Sequence, residues 1–350
     1  MPKRVAIDIT PLLTVGTGIA RATRSLLEAM VGLAPQVELV GVGRRLLGPP
    51  VRLPVRAVRL RLPRLAEPMI RRLRLIEWLC PADLYHATDF YLPLGDAARA
   101  VATVHDLFFL TDPEPMVDHE RLRQWAPEFI RCCRAVIAIS EFTKRELVRV
   151  LGVRADKIHV VHLGVDHSVF RPVDTKVERP YFFAVSCSTG RKNTPMLLRA
   201  YAELAKQNPR NDLVLAWDPP SEIRAKFGSH PRIRFIGRQG DDALRKLYSG
   251  ATAVVYPSLR EGFGLPVLEA MACGAPVITS NTTSLPEVGG EAAVYVDPND
   301  EGSLVAALRA FDEGMVDRVA LRDRGLKQAA RFSWQRCATE TLALYERLLR

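Results

Sequence analysis

Short apolar runs alternate with longer amphipathic segments along the whole chain. VAIDI (5–9), VELVGVG (37–43), DLYHAT (83–88), AVATVHD (100–106), AVIAIS (135–140) and KIHVVHLG (157–164) have the length and apolar density of buried strands. Between them, residues 19–33, 67–79, 118–133 and 141–151 read as helices. The pattern then restarts. YFFAVSC (181–187), DLVLAW (212–217), IRFIG (233–237), ATAVVYPS (251–258), APVITS (275–280) and AAVYVD (292–297) read as strands. Residues 194–207, 241–249, 266–273, 301–312 and 315–330 read as helices. Strands alternating with helices predict parallel sheet built from βαβ units. The expected fold class is α/β, with two Rossmann-like doubly wound halves facing a cleft. They meet near the Pro-bearing stretch DHSVFRPVDTKVERP (166–180).

In such sheets a ligand lies beyond the carboxyl ends of the strands, where the strand order reverses. Candidate chemistry should therefore sit just after strands, and several polar residues do. One such stretch, REGFGLPVLEAMACGAPVITS (260–280), carries Glu261 and Glu269 around a Gly-Phe-Gly-Leu-Pro turn. Pro266 suits the first position of a helix, since its missing N–H would be unpaired there anyway. Gly274 and Pro276 end that helix. Free N–H groups at a helix start favour an anion such as phosphate. Carboxylates on either side of a bound phosphate are placed to accept from hydroxyls. A ligand with hydroxyls at both ends of a diphosphate is a nucleotide sugar.

Charge changes this picture in one place. Of the net +10 in 350 residues, the segment 44–74 holds ten arginines against one acid, Glu67, a local +9 that leaves about +1 elsewhere. Few aromatics interleave with these arginines, so a base-stacking platform for nucleic acid is not expected. Over 67–79, Met69, Ile70, Leu73, Ile76 and Leu79 fall at helical spacing with Arg71, Arg72 and Arg74 off that face. That stripe either packs on the sheet or helps the segment meet an anionic membrane surface. No apolar run reaches the ~20 residues that span a bilayer. The N-terminal MPKRVAIDITPLL reads as a first strand rather than a secretory signal. The six cysteines are scattered without a CxxC, and the seven histidines form no ligating cluster. A reducing cytoplasm is the expected setting, with peripheral placement on the inner face of the cytoplasmic membrane where the basic segment docks.

The segment PSLREGFGLPVLEAMACGAPVITSNTTSLPEVGGEAAVYVDPND resembles the E-x7-E region of retaining glycosyltransferases of family 4 (GT4), which have the GT-B fold. FIGRQGDDALRKLYSGATAVVYPS, TGIARATRSLL, TVHDLFFL, AVIAISEFTKREL, VVHLGVD and GRKNTPMLLRAYAEL are also similar to that family. The pattern is nearest to bacterial mannosyltransferases of surface-polysaccharide or O-antigen assembly. FSWQRCATETLALYERLL resembles the family's last helix, which crosses back to the N-terminal domain. The implied division is 1–170 for the acceptor-side domain, 171–331 for the nucleotide-sugar domain and 332–350 for the returning helix.

The resemblance implies a residue set. Glu261 would hold hydroxyls of the donor sugar, with backbone N–H groups of Phe263, Gly264 and Leu265 around sugar and phosphate. Glu269 would bind the nucleotide ribose. Arg191 and Lys192 would neutralise the diphosphate and assist its departure, with Asn193 beside them in the donor site. Gly16 and Gly18 would form the loop that approaches donor and acceptor. His105 would position the donor sugar or an acceptor hydroxyl, and Asp106 would support that loop. No cofactor or metal is implied beyond the donor itself, with GDP-mannose favoured over a UDP-linked hexose. The acceptor would be a saccharide or a lipid-linked saccharide. The chain departs from the pattern at SCSTGRKN, where Ser186 or Ser188 stands in place of a basic residue that many members carry. Two other readings remain: a glycosidase using Glu261 and Glu269 as its carboxylate pair, and a non-catalytic nucleotide-sugar-binding protein.

Overall fold

A computed structural model describes residues 2–13, 18–33, 35–44, 53–60, 67–90, 94, 96–111, 119–185 and 190–350. Gly16, Ser186 and Ser188 lie outside the described residues, as do Arg45, Arg52, Arg61 and Arg64 of the basic run. The chain divides into two compact units, Met1–Gly164 together with Trp334–Arg350, and Val165–Ser333.

The first unit contains the strands β1 (Arg4–Asp8), β2 (Glu38–Arg44), β3 (Ala57–Leu60), β4 (Leu84–Ala87), β5 (Ala100–Val104), β6 (Ala135–Ala138) and β7 (Ile158–Val160). Its helices are α1 (Gly18–Gly32), α2 (Glu67–Arg72), α3 (Leu75–Leu79), α4 (Phe108–Thr111), α5 (His119–Cys132) and α6 (Glu141–Leu151). All neighbouring strands pair in parallel in the order β3-β2-β1-β4-β5-β6-β7. β1, β4, β5 and β6 are buried along nearly their whole length, the mark of parallel strands covered on both faces. Ser140 caps α6 by accepting from the Thr143 N–H at 3.0 Å, and Gly152 ends it in the left-handed region at φ 62°.

The second unit contains β8 (Tyr181–Val185), β9 (Asp212–Ala216), β10 (Ile233–Phe235), β11 (Ala253–Tyr256), β12 (Val277–Ser280) and β13 (Ala293–Val296). Its helices are α7 (Thr194–Ala205), α8 (Ser221–Phe227), α9 (Asp241–Gly250), α10 (Leu265–Ala272), α11 (Leu285–Gly289), α12 (Glu301–Asp312) and α13 (Arg318–Ala329). The strands are parallel in the order β10-β9-β8-β11-β12-β13. The order reverses between β8 and β11 here, and between β1 and β4 in the first unit. Chain entry and exit of the second unit lie side by side, with the Val165 N–H donating to the Phe332 carbonyl at 3.4 Å. The last helix, α14 (Trp334–Leu349), packs against α1 and belongs to the first unit.

The α/β alternation is as the apolar pattern predicts, with five differences, two of them the short helices α4 and α11, too brief to show a period. The edge strand β3 lies inside the arginine-rich run, whose charges hide its apolar positions. α8 is seven residues long and largely exposed, so it lacks the apolar stripe that would reveal it. The expected single helix over 67–79 is two short helices, because Arg74 adopts φ 49° and turns the chain between them. Ile70 and Ile76 enter the core, whereas Met69, Leu73, Trp78 and Leu79 face outward.

Candidate active site

In the second unit, Lys192 follows β8 and Glu261 follows β11, so both stand at the point where the strand order reverses. Lys192 ends a short turn, Gly190–Lys192, that α7 continues. This turn is tied to the segment after β11 by the Leu259 N–H donating to the Arg191 carbonyl at 2.8 Å. Asn193, at φ 55°, directs its amide inward and donates to the carbonyls of Pro298 (2.7 Å) and Pro257 (3.2 Å). Asn193 thus clamps the basic turn to the ends of β11 and β13 through its side chain.

Lys192 Nζ lies 2.7 Å from Glu261 Oε1 and also contacts the Tyr256 hydroxyl. The Tyr256 hydroxyl lies 2.9 Å from the same carboxylate oxygen. Glu261 is 8% exposed and Tyr256 2%. Burial opposes the charge on both ionic partners. Their mutual attraction outweighs it, holding Lys192 above and Glu261 below the ordinary ranges, with Arg191 adding to the effect on Glu261. Burial, and then the Glu261 charge, raises the Tyr256 phenol, which stays protonated and donates. Tyr256 was not singled out by sequence reading. Its position as the last residue of β11 at the strand-order reversal is the signal that marks it.

The turn between the two glutamates is held from α11 and the residues before it. Ser284 Oγ lies 2.9 Å from the Glu261 carbonyl and 2.8 Å from the Phe263 carbonyl, and Thr283 Oγ1 accepts from the Glu261 N–H at 3.2 Å. Gly264 has φ 116°, and a Cβ there would sit 2.8 Å from Leu285 Cδ2. Only glycine fits that turn without strain. The Phe263 ring is buried against Phe332 (5.9 Å between centroids), so only its backbone faces away from the core. At the start of α10 the N–H groups of Gly264 and Leu265 make no hydrogen bond among the described residues, and Pro266 has none to make. Unused amides at a helix start suit an anion. Glu269 lies on the buried face of α10 and accepts from the Tyr248 hydroxyl at 3.2 Å. The two glutamates have different partners, Tyr248 for Glu269 and Lys192 with Tyr256 for Glu261.

In the first unit, His105 follows β5. Its Nε2 lies 3.0 Å from the Thr88 carbonyl, which can only accept, so Nε2 carries the proton and Nδ1 is left as the acceptor. Burial lowers the His105 pKa against the opposing pull of the Thr88 hydrogen bond and Asp106, keeping the ring neutral. Asp106 Oδ1 accepts from the Phe108 N–H at 3.0 Å and caps α4. Gly18 opens α1, and a Cβ there would meet nothing within 4 Å among the described residues. Beside this edge, His86 is fully buried, with the Thr103 hydroxyl 2.7 Å from Nε2 and the Tyr345 hydroxyl of α14 at Nδ1. Burial drives its pKa down to about 3.

Comparison with known proteins agrees with this architecture. The family model of glycosyl transferases group 1 matches residues 168–328, and that of glycosyltransferase family 4 matches 16–169. The O-antigen chain mannosyltransferase B of Escherichia coli is 34% identical over 76% of this chain and 74% of its own length. An MMP alpha-(1->4)-mannosyltransferase of Mycolicibacterium hassiacum is 32% identical over 61% of this chain and 54% of its own length. The sucrose-phosphate synthase of Thermosynechococcus elongatus superposes with a TM-score of 0.80 at 20% identity, over 99% of each chain. The two parallel-sheet units are those of the GT-B fold. The chain belongs to the group 1, family 4 glycosyltransferases.

Proposed function

We propose that this glycosyltransferase moves a hexosyl unit, mannose in the first instance, from a nucleotide diphosphate sugar to an acceptor hydroxyl with retention at the anomeric carbon. The observation that carries the reading is the buried Lys192–Tyr256–Glu261 cluster at the β8/β11 reversal, close in sequence to the unused amides of Gly264 and Leu265. GDP-mannose is the favoured donor because both relatives above are named mannosyltransferases; a UDP-linked hexose is the alternative. In this reading Glu261 binds sugar hydroxyls, and the Phe263, Gly264 and Leu265 amides bind sugar and phosphate. Glu269 takes the ribose, and Arg191 and Lys192 take the diphosphate. Asn193 acts in the donor site by holding the basic turn. Departure of the diphosphate takes the electron pair of the C1–O bond. The acceptor oxygen bonds to C1 on the same face, and its proton passes to the departing phosphate oxygen. Positive side chains and helix amides supply the charge stabilisation that a metal ion would otherwise provide. Neutral His105 offers Nδ1 to a hydroxyl of the sugar or acceptor, Asp106 supports its loop, and Gly18, with Gly16, leaves room for substrate.

Thermal melting with GDP-mannose and UDP-glucose tests the donor. Saturation at a hundredfold excess over Kd stabilises the folded state by about 2.7 kcal/mol. A rise in Tm with GDP-mannose alone is expected. No shift with either, together with no transfer to a polysaccharide acceptor panel, overturns the reading. The anomeric configuration of the product, read by proton NMR, tests retention.

A saccharide acceptor linked to lipid would place the enzyme at the cytoplasmic membrane surface. Among the described residues no helix is long and apolar enough to cross a membrane. The support for docking is the outward face of α2 and α3, where Met69 (54% exposed), Leu73 (57%) and Trp78 (75%) stand with Leu79 near exposed Arg72. Arg71 stacks 5.0 Å over Trp125, and Arg74 lies 3.7 Å from Asp96, so these two arginines have partners within the protein. Sedimentation with phosphatidylglycerol liposomes at low salt is expected to carry the protein down, and less so for Trp78→Ser. Absence of binding rejects the docking.

A further inference from the structure

We propose that Tyr256 is a positioning residue that divides the work of the two Glu261 oxygens, anchoring Oε1 and presenting Oε2 to the donor sugar. The geometry is asymmetric. Lys192 Nζ and the Tyr256 hydroxyl both converge on Oε1, at 2.7 and 2.9 Å. Oε2 has no partner among the described residues, yet it is not sealed from the surface as a fully buried oxygen would be. The Tyr256 hydroxyl also accepts a hydrogen bond from Lys192 Nζ, so one O–H group joins both charges.

Lys192 alone would not fix the carboxylate. An ammonium on a flexible stem tolerates many rotamers and can follow either oxygen. A phenol on a rigid ring at the end of β11 cannot. The Tyr256 carbonyl accepts from Thr279 Oγ1 at 2.9 Å, which ties the residue to β12. Its ring is buried in the sheet layer, so the hydroxyl stays fixed relative to the strand ends. When a donor diphosphate draws Lys192 away, Tyr256 keeps Oε1 occupied and Oε2 continues to face the sugar. A sugar hydroxyl lost at that oxygen then costs binding in the transition state rather than binding of the nucleotide.

This inference rests on the donor-site reading above, and the test separates the two. Tyr256→Phe keeps the ring and removes one hydroxyl. With GDP-mannose, or UDP-glucose if the wild-type enzyme does not use GDP-mannose, kcat/KM is expected to fall about tenfold. Inhibition by the matching nucleoside diphosphate, which has no sugar, is expected to stay within twofold. A second readout uses the same donor lacking one sugar hydroxyl at a time. For the hydroxyl held by Oε2, wild-type discrimination against the deoxy donor should shrink in Tyr256→Phe. A merely structural role would lower Tm and weaken nucleoside diphosphate and donor together. Unchanged kcat/KM, or a parallel loss of nucleoside diphosphate binding, overturns the inference while leaving the donor-site reading intact. Failure of the wild-type protein to transfer from either donor overturns both.

Discussion

The two sheet edges hold their candidate residues in different ways. In the second unit, Lys192, Tyr256 and Glu261 hold one another through side chains, and the loops carrying them are cross-tied by Asn193 and Ser284. In the first unit, His105 is held by a backbone carbonyl, Asp106 accepts from the backbone at the start of α4, and Gly18 has open space around it among the described residues. The second edge is preassembled by its side chains, whereas the described residues of the first are held through backbone groups. In the proposed reading, the side-chain-knit edge is the one that meets the donor.

Removing the centre of the interlocked edge tests this contrast most severely. Glu261→Ala leaves the Lys192 ammonium with only a phenol oxygen. Loss of one partner of a buried pair costs about 3 kcal/mol, the low end because Lys192 keeps a fifth of its side chain exposed. Transfer is expected to fall about 10²–10³-fold. Turnover of labelled donor and a urea titration measure both, and an active, equally stable variant would show that the edge is not preassembled.

Acid should separate the units next. The His86 pKa is depressed to about 3 by burial, and burial also lowers that of His105. Below about pH 6.5 the unfolded chain binds protons that these folded rings refuse, so stability falls as pH falls, by about 1.4 kcal/mol per unit for His86 alone. The Lys192–Glu261 pair stays charged on both sides of that window. Urea midpoints at pH 7 and pH 5 should drop by an amount that His86→Gln reduces. A flat profile would contradict the buried neutral ring.

Gly264→Ala places a Cβ at φ 116° against Leu285 and should cost about 1–3 kcal/mol, read as a lowered Tm. Asp106→Ala removes the hydrogen bond to the Phe108 N–H at the start of α4, worth about 1 kcal/mol, with a small change in transfer. A loss of transfer as large as that of Glu261→Ala would mean the first edge is as demanding as the second.

Sequence reading reached the α/β class because parallel strands buried on both faces appear as apolar runs, as in AVIAIS and APVITS. It isolated Glu261 and Glu269 from their places around a helix start, and Lys192 through resemblance to the family. It passed over Tyr256 because a tyrosine ending an apolar strand looks like core until the direction of its hydroxyl is known. It joined α2 to α3 because periodicity carries no information about the left-handed turn at Arg74. The resemblance places Asn193 in the donor site, but the sequence carries no sign that its amide binds the carbonyls of Pro257 and Pro298.

Residues Trp334–Arg350 are translated after the second unit, yet they complete the unit that is translated before it. Until that segment emerges, α1 lacks its neighbour and His86 lacks the Tyr345 hydroxyl. Contacts so distant in sequence carry a loop-closure cost and form slowly. The first unit therefore finishes folding only after the second has been synthesised, so maturation of its sheet edge is timed by a segment that follows the second unit in the chain.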